Sequence, residues 1–131
     1  MRYANTINEL IVKFICFEYD DDLTADMLVM ERLYPLDFRA YETEMREVWL
    51  NAFTDELQAL HTAGFVHRDL LRPTNITGDR YDNILLTFKG LRLIDVGISV
   101  LRRQVGESFF ATYVQRELEE LEVFKQFFLA R

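Results

Sequence analysis

The segment from Tyr41 to Thr62 restricts the fold more than any other, because its apolar residues return every three or four positions. This spacing places them on one side of an α-helix and does not fit a strand, whose side chains alternate between two faces. Gly64 follows at a position where helices commonly end in a left-handed residue. The segment therefore predicts one long amphipathic helix, whose core residues are expected to be Met45, Trp49, Ala52, Phe53, Leu57 and Leu60.

Short apolar segments on both sides of this helix predict strands. Residues 11–19 and 27–33 are rich in β-branched and aromatic side chains, which predicts an N-terminal hairpin. Residues 84–87 and 91–94 flank a turn at Phe88-Lys-Gly90, which predicts a second, shorter hairpin. A polar, irregular stretch from His67 to Asp82 separates the long helix from this second hairpin.

A second long helix is expected from about Glu107 to the C-terminal region. Its apolar stripe consists of Phe110, Val114, Leu118, Leu121 and Phe128. We interpret the acidic cluster Glu117–Glu122 as a solvated face of this helix. The resulting order of hairpin, helix, loop, hairpin and helix is typical of an α+β fold, and 131 residues suffice for a single domain spanning 1–131.

Composition excludes several functional classes. Lys and Arg number 15 against 22 Asp and Glu, a net charge of −7, so we expect no nucleic-acid partner. No apolar run approaches the roughly eighteen residues of a membrane span, and no signal peptide is evident, so we expect no membrane partner. Cys16 is the single cysteine and cannot form an intrachain disulfide, which favours a cytoplasmic location.

Two acidic motifs are the candidates for chemistry. His67-Arg-Asp69 follows the predicted helix and its Gly64-Phe-Val exit, and Ile94-Asp-Val-Gly97 follows a predicted strand. Either motif alone is more often a simple turn. Two carboxylates that converged without a metal would repel each other, so Asp69 and Asp95 together favour a metal or nucleotide site.

The sequences around these motifs resemble the eukaryotic-type protein kinase superfamily. The matching runs are Leu60-His-Thr-Ala-Gly-Phe-Val-His-Arg-Asp-Leu70, Asn83-Ile-Leu-Leu-Thr87 and Leu91-Arg-Leu-Ile-Asp-Val-Gly97. They follow the order of the family's helix exit, catalytic loop, short strand pair and metal-binding motif. The resemblance covers residues 11 to 99 and implies a fragment made of the hinge hairpin and the upper part of the kinase C-lobe.

The resemblance implies a role for several residues. Asp69 is expected to be the catalytic-loop base, and Asp95 to chelate the Mg²⁺ that bridges the phosphates of ATP. Met30 corresponds to the gatekeeper, and the backbone of Glu31, Arg32 and Leu33 to the hinge that binds adenine. His61, His67 and Cys16 are assigned no direct chemistry.

Two of the family's site residues have no unique counterpart in this chain. Asn75 and Asn83 are both candidates for the second metal ligand; Asn83 is slightly favoured because it directly precedes a strand. Leu71 occupies the position of the family's catalytic-loop Lys, and the neighbouring Arg72 is the candidate replacement. Val96 replaces the usual Phe of the metal-binding motif.

Other kinase elements have no match in the sequence: the Gly-rich loop, the strand Lys with its helix Glu, and the Ala-Pro-Glu segment. We therefore expect a minimal kinase-like protein that binds ATP and Mg²⁺ and transfers phosphate only when a partner completes it. A homodimer or protein partner is expected to cover the exposed N-terminal hairpin. The alternatives are a pseudokinase-type interaction module without phosphotransfer and, less favoured because of Arg68, a small-molecule kinase of the aminoglycoside type.

Overall fold

The computed structural model describes residues 1–20, 25–71 and 81–130, and within these ranges the fold is α+β. The helices are α1 (Arg2–Ile7), α2 (Thr43–Thr62), α3 (Arg102–Val105) and α4 (Glu107–Leu129), with a 3-10 turn at Phe38–Ala40. The strands are β1 (Phe14–Asp20), β2 (Ala25–Met30), β3 (Phe65–Val66), β4 (Ile84–Thr87), β5 (Gly90–Leu93) and β6 (Val100–Leu101).

Helix α2 confirms the long helix that the periodicity predicts. It ends at Thr62, and Gly64 follows with a φ of 92°, a left-handed conformation that glycine adopts without a Cβ penalty. Its buried face consists of Arg46, Leu50, Phe53, Leu57, Leu60 and His61.

The expected burial of Met45 and Ala52 is wrong, because both residues are exposed. The apolar residues of α2 cover two adjacent arcs of the helix, and α4 and β5 pack on α2. These neighbours bury the arc that carries Leu50 and Phe53, which leaves the other arc in solvent.

The three pairs of strands are all antiparallel and two-stranded. In the N-terminal hairpin, Phe14 lies opposite Met30 and Phe17 opposite Leu28, so this predicted hairpin is confirmed with shifted ends. The second hairpin is also confirmed, with Ile84 opposite Leu93. Pairing of β3 with β6 connects the exit of α2 to the segment after Asp95.

The residues just before β1 form the junction between the two hairpins. The Val12 N–H donates to the Leu93 carbonyl at 2.9 Å, and the Leu93 N–H donates to the Leu10 carbonyl at 2.8 Å. Leu10, Ile11 and Val12 are buried as a result. The first hairpin is therefore joined to β5, the strand that leads to Asp95.

Helix α4 closes the core with aromatic side chains. Phe124 packs against Phe53, Tyr81 and Phe128 at centroid distances of 5.8, 5.2 and 5.5 Å. Buried Arg46 donates through Nη1 to the Phe128 and Ala130 carbonyls, so a side chain of α2 caps the C-terminal end of α4. In the described part of the chain, no helix combines the length and apolarity that crossing a membrane requires.

Candidate functional site

His67 connects the two acidic motifs that the sequence singles out. Its Nε2 lies 2.8 Å from the Ile94 carbonyl, which can only accept, so Nε2 carries the hydrogen and donates. Nδ1 is then free to accept from the Asp69 N–H at 3.2 Å. The imidazole is completely buried. One side chain therefore sets the spacing between the loop of Asp69 and the residue before Asp95.

Asn83 makes a second connection at the same place. Its Nδ2 donates to the Asp69 Oδ2 at 3.0 Å and to the Asp69 carbonyl at 3.1 Å. The Asn83 carbonyl accepts from the Ile94 N–H at 2.9 Å. Of the two candidate asparagines, Asn83 thus lies against Asp69, whereas Asn75 lies outside the described residues, as does Arg72.

Asp95 lies two residues after the end of β5 and has a φ of 57°, one of two non-glycine residues in the described ranges with a left-handed backbone. Its Oδ1 accepts from the Gly97 N–H at 3.1 Å. A Cβ at Gly97 would lie only 3.1 Å from that same oxygen, so a larger residue at this position would require the carboxylate to shift by a few tenths of an ångström. The turn holds the Asp95 carboxylate in one orientation.

An apolar cleft of about 560 Å³ opens beside Asp95. Met30, the predicted gatekeeper, lines it together with Glu31 and Leu33 of the predicted hinge, and so does Asp95. The other lining residues are Met1, Val12, Leu85, Ile94, Val96 and Gly97. The Arg32 guanidinium lies elsewhere, 5.4 Å from the centroid of the Tyr34 ring. In its volume and its mostly apolar lining, the cleft resembles sites that bind small molecules.

The hinge segment offers unused backbone groups beside this cleft. The Glu31 N–H donates to the Lys13 carbonyl at 3.0 Å, and the Lys13 N–H donates to the Glu31 Oε1. Across the described residues, no group donates to the Glu31 carbonyl and none accepts from the Leu33 N–H. An adjacent acceptor and donor therefore remain for a ligand.

The Glu117 carboxylate on α4 accepts hydrogen bonds from the backbone of the Asp69 loop. The interpretation of Glu117 as part of a solvated face is therefore wrong. Its carboxylate is 1% exposed, and Oε2 accepts from the His67 N–H at 3.0 Å and the Arg68 N–H at 3.3 Å. His61 Nε2 lies 3.5 Å from the same oxygen. Arg68 has a φ of 74°, so the loop adopts a left-handed backbone at the second residue whose N–H Glu117 accepts.

A signal for Glu117 exists in the sequence. The residue lies seven positions after Phe110 and four before Leu121, in phase with the buried stripe of α4. A charged residue at a core position is expected to have a specific partner. Here the partners are backbone N–H groups of the loop, which sequence periodicity does not reveal.

Glu120, one turn further along α4, is also not part of a fully solvated face. The pKa of its carboxyl is raised to about 7, mainly by burial and also by the nearby Glu117 and Asp69 carboxylates, while Arg116 and the Leu71 backbone act in the opposite direction. Burial and these two neighbouring carboxylates therefore disfavour ionisation of Glu120.

The segment after Asp95 is tied to the same loop. Ser99 donates through Oγ to the His67 carbonyl at 2.9 Å, and Arg68 donates through Nη1 to the Ile98 carbonyl at 3.2 Å. The Arg68 guanidinium also lies 4.1 Å from the centroid of Tyr113 on α4. Both acidic motifs and α4 thus form one connected unit.

No protein-family model matches this chain, and no curated protein matches it either. Within the described ranges, no three His, Cys, Asp or Glu side chains come together as a possible metal site.

Proposed function

We propose that this chain is a minimal protein-kinase-like domain that binds ATP with Mg²⁺ in the cleft beside Asp95. The observation that carries the proposal is the hydrogen-bonded unit in which His67 and Asn83 join the Asp69 loop to the Ile94-Asp95 segment. The kinase resemblance assigns Asp69, Asp95 and the candidate ligand Asn83 to one site, and these hydrogen bonds connect the segments that carry them.

The cleft suits the base of a nucleotide. Its walls near the hinge are apolar side chains, Val12, Leu33 and Leu85 among them, which can enclose a flat aromatic ring. The free Glu31 carbonyl and Leu33 N–H provide one acceptor and one donor, the pattern that the edge of adenine needs. Adenine is therefore the base that we assign to this part of the cleft.

Side-chain oxygens of Asp95, which lines the cleft, and of Asn83, which is hydrogen-bonded to Asp69, suit Mg²⁺. Asp95 uses Oδ1 for the Gly97 N–H, and Asn83 uses Nδ2 for Asp69, so Asp95 Oδ2 and Asn83 Oδ1 are the atoms available for a hard cation. Mg²⁺ commonly takes one or two protein oxygens and completes its shell with water and phosphate. When bound, the ion would neutralise phosphate charge, and Asp69 would orient an acceptor hydroxyl.

A partner is proposed to supply what the cleft lacks. Among the described residues that line it, the charged side chains are Glu31 and Asp95, both acidic. Phosphate groups would therefore find no cationic side chain there, and phosphoryl transfer depends on such charge stabilisation. We propose that a second copy or another protein, docking over the N-terminal hairpin, contributes the cation.

Calorimetric titration with ATP, with and without Mg²⁺, tests the proposal. The wild type is expected to bind ATP only with Mg²⁺ present, and Asp95→Ala to abolish binding. Asp95→Asn keeps an oxygen for the Gly97 N–H but removes the charge, so it separates metal binding from loop folding. Asp55→Ala, which removes an exposed carboxylate on α2, is the matched control and is expected to bind like the wild type.

Absence of binding at millimolar nucleotide would contradict the proposal, as would equal binding by wild type and both Asp95 variants. The acidic lining of the cleft favours a second candidate in that case, a pseudokinase-type interaction module that transfers no phosphate. The two candidates differ in one measurement: only the first predicts Mg²⁺-dependent ATP binding.

A further inference from the structure

Helix α2 carries an apolar surface that the core does not use. Met45, Val48, Trp49 and Ala52 are spaced i, i+3, i+4 and i+7 and therefore share one face. Met45 is 50% and Val48 67% exposed, Ala52 is exposed, and Trp49 is half-buried with its edge against Tyr41. A solvent-exposed helix face normally carries polar residues at these positions.

The turn between β4 and β5 extends this surface. Phe88 at its tip is 85% exposed, an unusual position for a phenyl ring. A Cβ built on Gly90, at the end of the same turn, would lie 3.8 Å from Trp49 Cδ1, so the turn borders the helix face. We call Met45, Val48, Trp49, Ala52 and Phe88 the α2 surface patch.

The flank of the patch is acidic. Glu44, Glu47 and Asp55 are exposed on the side of α2 away from the core. Arg46, the only Arg or Lys of α2, is buried and caps α4, so it does not offset them. Lys89 beside Phe88 is a cation at one end of the patch. The negative charge of this flank is expected to attract basic partner surfaces and to repel acidic ones.

We propose that the α2 surface patch docks a basic amphipathic helix of a partner protein. A ridge of side chains on one helix fits the grooves of another, and Lys or Arg beside the partner's apolar stripe would face Glu44, Glu47 and Asp55. A second copy of this chain would bring the same acidic flank against itself, and an anionic membrane surface would be repelled likewise. This inference is independent of nucleotide binding.

Trp49 is the only tryptophan of the chain, so its fluorescence reports on the patch directly. The probe is a synthetic amphipathic helix of leucine and lysine, and a leucine-glutamate helix is the charge-reversed control. The leucine-lysine helix is expected to shift Trp49 emission to shorter wavelength with saturation, because docking excludes water from the indole. The leucine-glutamate helix is expected to leave the emission unchanged.

Matched variants locate the binding. Val48→Gln and Phe88→Gln are expected to weaken it by at least about tenfold, the effect of losing a central apolar contact. Val123→Gln and Phe109→Gln remove exposed apolar groups of the same types on α4 and are expected to bind like the wild type. All four positions are on the surface, so circular dichroism and urea midpoints should stay unchanged.

Several results would overturn the proposal. Equal weakening by the α4 variants would show unspecific adsorption, and binding of the leucine-glutamate helix would remove the electrostatic argument. A Trp49 shift that depends on protein concentration alone, with dimers in sedimentation, would identify a second copy as the occupant. A shift with phosphatidylserine vesicles but not with the leucine-lysine helix would identify a membrane surface instead.

Discussion

Replacing Glu117 by Ala should destabilise the whole domain, because this carboxylate accepts from one buried and one partly buried backbone N–H. The His67 and Arg68 N–H groups, at 3.0 and 3.3 Å from Oε2, would lose their acceptor. A buried donor left without a partner costs about 1–3 kcal/mol, so the buried His67 N–H alone predicts a loss of about 1–3 kcal/mol, to which the partly buried Arg68 N–H adds a smaller amount. This is a large share of a typical stability of about 5–15 kcal/mol.

Urea unfolding, followed by circular dichroism, measures the change in the free energy of unfolding. Glu117→Gln keeps one carbonyl oxygen for the loop but loses the charge, so its loss should be smaller than that of Glu117→Ala. Glu119→Ala, two residues along on the exposed side of α4, is the control and should change stability by no more than about 0.5 kcal/mol. A loss below about 1 kcal/mol for Glu117→Ala would refute the reasoning.

Three further predictions concern single positions. Gly64→Ala, at a φ of 92° and with its Cβ 3.4 Å from Arg102 Cβ, should lower the free energy of unfolding by about 1–2 kcal/mol in thermal or urea unfolding. The pKa of Glu120 is raised from 4.5 to about 7 in the folded state, so the folded protein binds the extra proton and stability should fall as pH rises from about 4.5 to about 7. Urea midpoints across this range should show the fall in the wild type and a flatter profile in Glu120→Gln; a parallel profile would contradict the assignment. Gly97→Ala should displace the Asp95 carboxylate and weaken Mg²⁺-dependent ATP binding while the urea midpoint changes little; unaltered binding would argue against the proposed metal site.

Local patterns were sufficient for the main elements of the fold. The apolar periodicity and Gly64 predict α2, and the turn at Phe88-Lys-Gly90 predicts the second hairpin, because both depend on neighbours within a few residues. The predicted ends of the first hairpin agree less well with the structure. Ile11 pairs with Leu93 of β5, through hydrogen bonds made by Leu10 and Val12, instead of continuing β1, because β5 lies far along the chain and reaches this segment only in the folded protein.

The candidate site was predicted in its residues but not in its connections. Asp69, Asp95 and Asn83 stood out in the sequence, whereas the links through His67 to Ile94 and through Asn83 to Asp69 span 27 and 14 positions. Such contacts form only when the loops are folded against each other. Glu117 was missed for the same reason, since its partners lie 50 and 49 positions away.

By itself, the sequence determined the α+β order of elements and the residues able to carry chemistry, because periodicity, turn residues and side-chain type act locally. Only the tertiary structure decided which arc of α2 became core and which became the α2 surface patch, because both arcs are apolar and the packing of α4 and β5 selects one. It also decided that Glu117 lies buried beneath the Asp69 loop, because a carboxylate can stay in a core only where folded backbone donors meet it.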